Sequence, residues 1–185
     1  VTVGTRSLIF GVHQFLWHPI TVALAWRQLN GRWPDWREAV CILLHDWGYF
    51  GRPEMDGADG DRHVELGARI ASGVLGRRYG LLCLLHSRHY ARRIGQPPSD
   101  LCWADKSSIL YERWWTYLPR AWASGELAQY RDSSAGAGAL TASATDREWF
   151  AFIQSYFRDL ARTRTSGPFM NASTTARGAP VRAHA

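Results

Sequence analysis

Apolar residues recur at three- and four-residue spacing along most of the chain, and glycine or proline interrupts the rhythm at intervals. That pattern predicts a succession of helices. Pro19-Ile-Thr-Val-Ala-Leu-Ala-Trp-Arg-Gln-Leu reads as a helix with proline in its first turn and a stop at Asn30-Gly31. Pro34 opens a second, with Asp35 and Glu38 where carboxylates suit the helix dipole, and it ends near Asp46-Trp47-Gly48. A third is expected from Asp61 to Leu75, with Gly76 as its stop, and a fourth from Tyr79 to Ile94, ended by Gly95. Pro97-Pro98-Ser99 precedes a fifth, which carries Trp103-Ala-Asp-Lys and continues towards Trp115. A shorter helix is expected over Pro119 to Arg131. A last one, Asp146 to Arg162, places Trp149, Phe150, Phe152, Ile153, Phe157 and Leu160 on one face. With no internal repeat and no alternating strand run, the expected class is all-α.

The same pattern divides the chain. Residues 1–132 form the expected helical domain, and SSAGAGALTASAT over 133–145 reads as a flexible small-residue linker. The amphipathic helix occupies 146–162, and 163–185 is expected to be a disordered basic tail. A chain of 185 residues is long enough to bury a substantial core. Its formal charge of +6 is concentrated at the end: after Asp159 come Arg162, Arg164, Arg177 and Arg182 and no acid. Without those four, 18 basic residues face 16 acidic ones, so nucleic acid is not an expected partner. Cys41, Cys83 and Cys102 are isolated among apolar neighbours, with no Cys-x-x-Cys pair. They read as buried reduced thiols and favour a cytoplasmic protein. The apolar segment Leu8 to Leu29 contains His13, Gln14, His18, Pro19, Arg27 and Gln28, too polar for a membrane span.

The chemistry lies in the histidines and aspartates. Six of the seven histidines precede residue 90. His18 opens the first predicted helix, His45-Asp46 ends the second, His63 begins the third, His86 and His89 lie in the fourth, and Asp105 lies in the fifth. Singly, each is more simply a hydrogen-bonded core histidine or a capping aspartate. Together they are harder to bury, because each unpartnered group costs on the order of 2–7 kcal/mol. A divalent metal offsets that cost, and a mixed imidazole and carboxylate set suits first-row ions.

The order of these residues resembles the HD-domain superfamily of metal-dependent phosphohydrolases. His18-Pro-Ile-Thr-Val-Ala is similar to the family's first-histidine helix, Ile42-Leu-Leu-His-Asp-Trp-Gly to its His-Asp signature, and Ala104-Asp-Lys to its closing aspartate helix. The resemblance spans about Leu8 to Glu126 and implies a compact helical bundle in which His18, His45, Asp46 and Asp105 hold one metal. A binuclear branch adds two histidines between the His-Asp pair and the last aspartate. His63-Val-Glu-Leu-Gly-Ala resembles that branch's His-x-x-x-Gly element, and His86 ends the run Leu81-Leu-Cys-Leu-Leu. By this resemblance His63 and His86 hold a second metal and Asp46 bridges the two. Iron or manganese is the favoured ion, with cobalt, nickel, zinc or magnesium as alternatives.

What the resemblance implies is hydrolysis of a phosphate ester, of a nucleotide or related small molecule, by a metal-activated hydroxide. The catalytic set is then Asp46 and His86, with His89 as alternative ligand or proton carrier and Lys106 and Arg88 as phosphate contacts. Arg92 and Arg93 read as an ordinary basic last turn. His13 reads as structural or as a neighbour of the ligands. The loop Pro53 to Gly60 joins two ligand-bearing helices and is expected to be a mobile entrance; its acids do not follow the calcium-loop alternation. Trp47 and Tyr49 could stack on a base or simply pack. Two departures matter. Tyr49 stands where many relatives carry Lys or His, and Ser87 follows His86, so the tandem histidine of the cyclic-dinucleotide phosphodiesterases is absent, as is their Gly-Tyr-Pro element. The alternatives are a mixed-valent diiron oxygenase on the same scaffold, although Phe10-Gly-Val-His-Gln-Phe-Leu-Trp lacks the Tyr-x-x-Glu element of its phosphonate branch, and a non-catalytic nucleotide-binding module.

Overall fold

A computed structural model describes residues 1–136, 141 and 143–165, the last three without their side chains. The described residues form helices joined by turns and short loops, with no strand among them. Helix α1 (Val3–Phe10) is followed by α2 (Trp17–Asn30), in which Pro19 occupies the first turn and Gly31 ends the helix at φ 68°. Helix α3 (Trp36–Leu44) begins with a reciprocal cap: Asp35 accepts from the amides of Arg37 and Glu38, and the Glu38 carboxylate accepts from the Asp35 amide. The chain then makes a 3-10 turn over Trp47–Tyr49, the short α4 (Gly57–Gly60) and a second 3-10 turn over Asp61–His63.

Helices α5 (Val64–Leu75) and α6 (Arg77–Leu84) form a hairpin closed by Gly76. The expected single helix from Tyr79 to Ile94 is two. Ser87 breaks it by accepting hydrogen bonds from the amides of His89 and Tyr90, which starts α7 (Arg88–Arg93) on a new axis. The Leu85 carbonyl turns to the Ser99 amide at 3.0 Å. Helix α8 (Asp100–Ser107) does not run on to Trp115. A 3-10 turn over Ser108–Tyr111 and the extended Glu112 and Arg113 intervene before α9 (Trp114–Ser124). Pro119 therefore lies inside α9, and Gly125 at φ 89° separates it from α10 (Glu126–Gly136). Helix α10 takes up the first residues of the expected linker; the rest is described only in part, and most of the expected tail lies outside the described residues. Helix α11 (Asp146–Thr165) closes the fold.

Three apolar clusters hold these elements. The central one joins Val22, Ala25 and Trp26 of α2, Cys41 and Ile42 of α3, Ala71 of α5, Cys83 of α6, and Leu101 and Ala104 of α8. All three cysteines are buried. A second cluster sets Trp149 and Phe150 of α11 against Val12, Ile109, Tyr117, Ala121 and Leu127. Gln154 also donates to the carbonyls of Ile109 and Glu112, at 2.8 and 3.0 Å. The last helix is thus part of the core that faces α9 and α10. Leu8, Tyr49 and Met55 make the third cluster. Among the described residues no helix is long and apolar enough to cross a membrane.

Candidate metal centre

Each of six side chains reaches one point from a different kind of helix end. His18 is the second residue of α2, His45 caps the C-terminus of α3, and Asp46 precedes the 3-10 turn that follows. His63 ends the 3-10 turn before α5, His86 lies in the break between α6 and α7, and Asp105 is near the end of α8. Two glycines let α5 come close enough. A Cβ on Gly48 would lie 1.8 Å from the His63 carbonyl oxygen, and one on Gly67 would lie 2.7 Å from the Leu44 carbonyl oxygen. No other residue fits either contact, so both glycines draw His63 against His45-Asp46.

Two groups of ligating atoms result, and Asp46 belongs to both. Its Oδ2 lies 3.2 Å from His18 Nε2 and 3.0 Å from His45 Nε2. Asp105 Oδ1 completes that group, 3.1 Å from His18 Nε2 and 3.6 Å from His45 Nε2. The other oxygen, Oδ1, lies 3.8 Å from His63 Nε2 and 3.5 Å from His86 Nε2. Adjacent donors about 2.1 Å from one ion stand about 3.0 Å apart in an octahedron and about 3.4 Å apart in a tetrahedron. The observed separations have that scale.

The hydrogens decide what these contacts are. His45, His63 and His86 each donate Nδ1–H to a carbonyl three residues back, Ile42, Gly60 and Cys83 respectively, all at 2.6 Å. This fixes each ring and turns its Nε2 inward. His63 Nε2 and His86 Nε2 then face each other at 2.9 Å. Burial and the neighbouring His86 push His63 down to about 3, so it carries no second proton to place between them. Two such nitrogens at hydrogen-bond distance repel unless a proton or a metal ion lies between them. In the first group His45 Nε2 and Asp46 Oδ2 have no hydrogen-bond partner, although they are only 3.0 Å apart; they are not aligned to bond each other. Burial would lower the pKa of His45, but the Asp46 and Asp105 carboxylates override it and raise it to about 10. Burial would likewise raise both carboxyls, yet the imidazoles hold them well below the usual range, with Lys106 adding to this at Asp105. The buried carboxylates draw in positive charge, which protons or a divalent ion could supply. The donor set therefore fits metal binding at either group.

The other residues singled out in the sequence are placed differently. Lys106 stays at the rim, its Nζ 3.8 Å from Asp105 Oδ2. Arg88, Arg92 and Arg93 are exposed on α7. His89 does not join the cluster; it is exposed and its Nδ1 pairs with Asp61 at 3.3 Å. Tyr49 is buried and stacks on His63 with ring centroids 4.0 Å apart, and its hydroxyl donates to the Met55 carbonyl at 3.2 Å. It props the ring of a candidate ligand, whereas Trp47 is exposed. The loop expected to be a mobile entrance is pinned. Met55 is buried and its amide donates to Gln129 at 2.8 Å, Ser133 donates to Asp56 at 2.9 Å, and Arg52 holds Asp59 at 2.6 Å.

Sequence reading did not single out Glu126. It is fully buried and accepts from the hydroxyls of Ser7, Ser124 and Tyr130, from the Val12 amide and from His13 Nδ1. Its carboxyl is lowered because these donors, His13 foremost, outweigh its burial. At the first position of a helix, a glutamate reads as an ordinary dipole partner, and the 113 residues separating it from His13 hide the pair. Comparison with known proteins returns no match to a family model, to a curated protein or to a solved structure.

Proposed function

We propose that the protein is a metal-dependent phosphohydrolase of the HD type that cleaves a phosphate ester, of a nucleotide or related small molecule, at a binuclear centre. The observation that carries this reading is Asp46, whose two carboxylate oxygens each serve a separate group of buried donors. His18, His45, Asp46 and Asp105 would hold one ion, and Asp46, His63 and His86 the other. Bound there, a pair of divalent ions lowers the pKa of water and neutralises phosphoryl charge. The chain's own residues supply the rest. The three backbone-anchored imidazoles keep their Nε2 atoms aimed without rearrangement, and Tyr49 fixes the His63 ring by stacking. Lys106 is the cation beside the centre and meets a phosphoryl oxygen. Iron or manganese suits the mixed nitrogen and oxygen set, and a cytoplasmic enzyme with reduced cysteines belongs to the same reading.

The test is metal analysis of protein purified without oxygen, followed by assay on nucleotides, simple phosphate esters and phosphonates. Two ions per chain and phosphate release without oxygen consumption are expected. Oxygen uptake with a mixed-valent iron EPR signal would make it an oxygenase instead. Nucleotide binding without turnover in the metal-loaded protein would make it a binding module.

A further inference from the structure

Exposed tryptophans and arginines meet on the side formed by the outward face of α2, the turn before α3 and the start of α9. The Arg27 guanidinium lies over Trp33 at 4.7 Å from the ring centroid, Arg37 over Trp36 at 4.6 Å, Arg113 over Trp115 at 4.9 Å and Arg147 over Trp114 at 4.7 Å. All four arginines are exposed, and the four tryptophans are between 41% and 63% exposed. The pairs are linked to one another. The Tyr111 hydroxyl donates to Gln28, next to Arg27, at 2.7 Å, and Tyr111 is two residues from Arg113. Trp114 and Trp115 meet edge to face with centroids 6.0 Å apart, and Trp36 is three residues past Trp33. Apolar side chains extend this surface along α2. Trp17, Ile20 and Leu24 lead to Arg27 at three- and four-residue spacing, on the side opposite Val22, Ala25 and Trp26 of the core. Trp17 and Ile20 are about half exposed, and so is Leu16 just before them.

These arginines have no counter-charge. Among the described residues none of the four has a carboxylate within ion-pair distance. The acids next to them in the chain are already engaged: Asp35 caps α3, Glu112 is held by Arg120 at 2.7 Å, and Glu148 accepts from the Thr145 amide at 2.8 Å. The surface therefore lacks both an apolar medium and an anion.

We propose that this face docks on an anionic lipid bilayer, with the tryptophans and Ile20 seated at the interface and the four arginines on lipid phosphate and carboxylate groups. Tryptophan suits that zone because its ring is apolar and its N–H is polar. A guanidinium over a ring keeps its N–H edges available to oxygen anions. Other occupants fit less well. A second copy docked face to face brings the same four arginines and no available carboxylate. A single-stranded nucleic acid would satisfy the arginines and stack on the rings, but it would leave Leu16 and Ile20 in water. Among the described residues no helix is long and apolar enough to cross a bilayer, so the contact is with its surface. Docking of this kind does not depend on the reaction at the metal centre.

The test is flotation of the full chain with phosphatidylcholine vesicles, with and without about one-third phosphatidylserine. It is read by the bound fraction and by quenching of tryptophan fluorescence with brominated acyl chains. Wild type is expected to bind the acidic vesicles, to be quenched there, and to bind the neutral ones much less. Arg27→Gln and Arg113→Gln should each lower partitioning about fivefold, and Ile20→Ser about tenfold. Arg92→Gln, on α7 and outside this face, should change it by less than about twofold. Failure of wild type to bind acidic vesicles overturns the proposal without need of a variant, as does binding without quenching. An equal loss in Arg92→Gln and Arg27→Gln overturns it in favour of diffuse charge attraction. Self-association in sedimentation velocity that Ile20→Ser abolishes, with no vesicle binding, assigns the face to a second copy. Binding of a single-stranded oligonucleotide that Arg27→Gln and Arg113→Gln weaken, with no vesicle binding, assigns it to nucleic acid.

Discussion

The two buried ionisable clusters of this protein are neighbours and are built oppositely. Around Glu126 every lone pair meets a hydrogen: hydroxyls, an amide and an imidazole N–H all point at one carboxylate. Around Asp46 three imidazoles donate outward, to the carbonyls of Ile42, Gly60 and Cys83, and turn their Nε2 atoms inward towards one another and the carboxylates. Similar residue types and similar burial thus give one cluster whose acceptors are all met by protein hydrogens and one whose donors could hold a cation. What separates a structural polar core from a metal centre is the direction of the hydrogens, which the anchoring carbonyls set.

The comparison is tested most severely at Asp46. Asp46→Ala is expected to abolish binding of both ions and reduce activity to background, whereas His63→Ala and His86→Ala leave one ion per chain. Metal analysis reads both, and full occupancy in Asp46→Ala would refute the shared ligand.

A smaller effect distinguishes the clusters by stability in chelator. Glu126→Ala leaves a buried set of donors without their acceptor and should cost about 3–5 kcal/mol in a denaturant titration. His86→Leu removes one of two opposed lone pairs and should change metal-free stability by no more than about 1 kcal/mol in either direction. Comparable losses in the two variants would erase the distinction.

The smallest effect is the pH dependence of the metal-free protein. His45, raised to about 10, adds stability that is fully present below its ordinary 6.5 and lost as pH rises through about 10. His63, lowered to about 3, acts in the opposite sense: its contribution is present above 6.5 and lost as pH falls towards about 3. The metal-free protein should be most stable near neutrality, with the acid limb flattened in His63→Leu. Thermal melts across that range check the sign, and an acid limb unchanged in the variant would assign it to other groups.

Much of this architecture was legible in the chain. The helical rhythm, the Asp35 and Glu38 carboxylates at the start of α3, the Gly31 and Gly76 stops and the apolar face of α11 are local features, set by neighbours three or four residues away. The six candidate ligand positions were legible as imidazoles and carboxylates set in or beside apolar helices, in the order of the resemblance. The break at Ser87 was missed because a helix-compatible run surrounds it and only the Ser99 amide, from the next loop, takes up the freed Leu85 carbonyl.

The sequence by itself determined an all-α chain and which side chains have metal-binding chemistry, since periodicity and donor type are properties of residues and their near neighbours. Only the tertiary structure decided that Asp46 faces two groups at once, that His89 stays outside with Asp61, that Tyr49 supports His63, and that His13 is held by Glu126. Those outcomes depend on hydrogen directions and on contacts between segments far apart in the chain. Two glycines, where a single methyl group would not fit, bring the decisive pair of segments together.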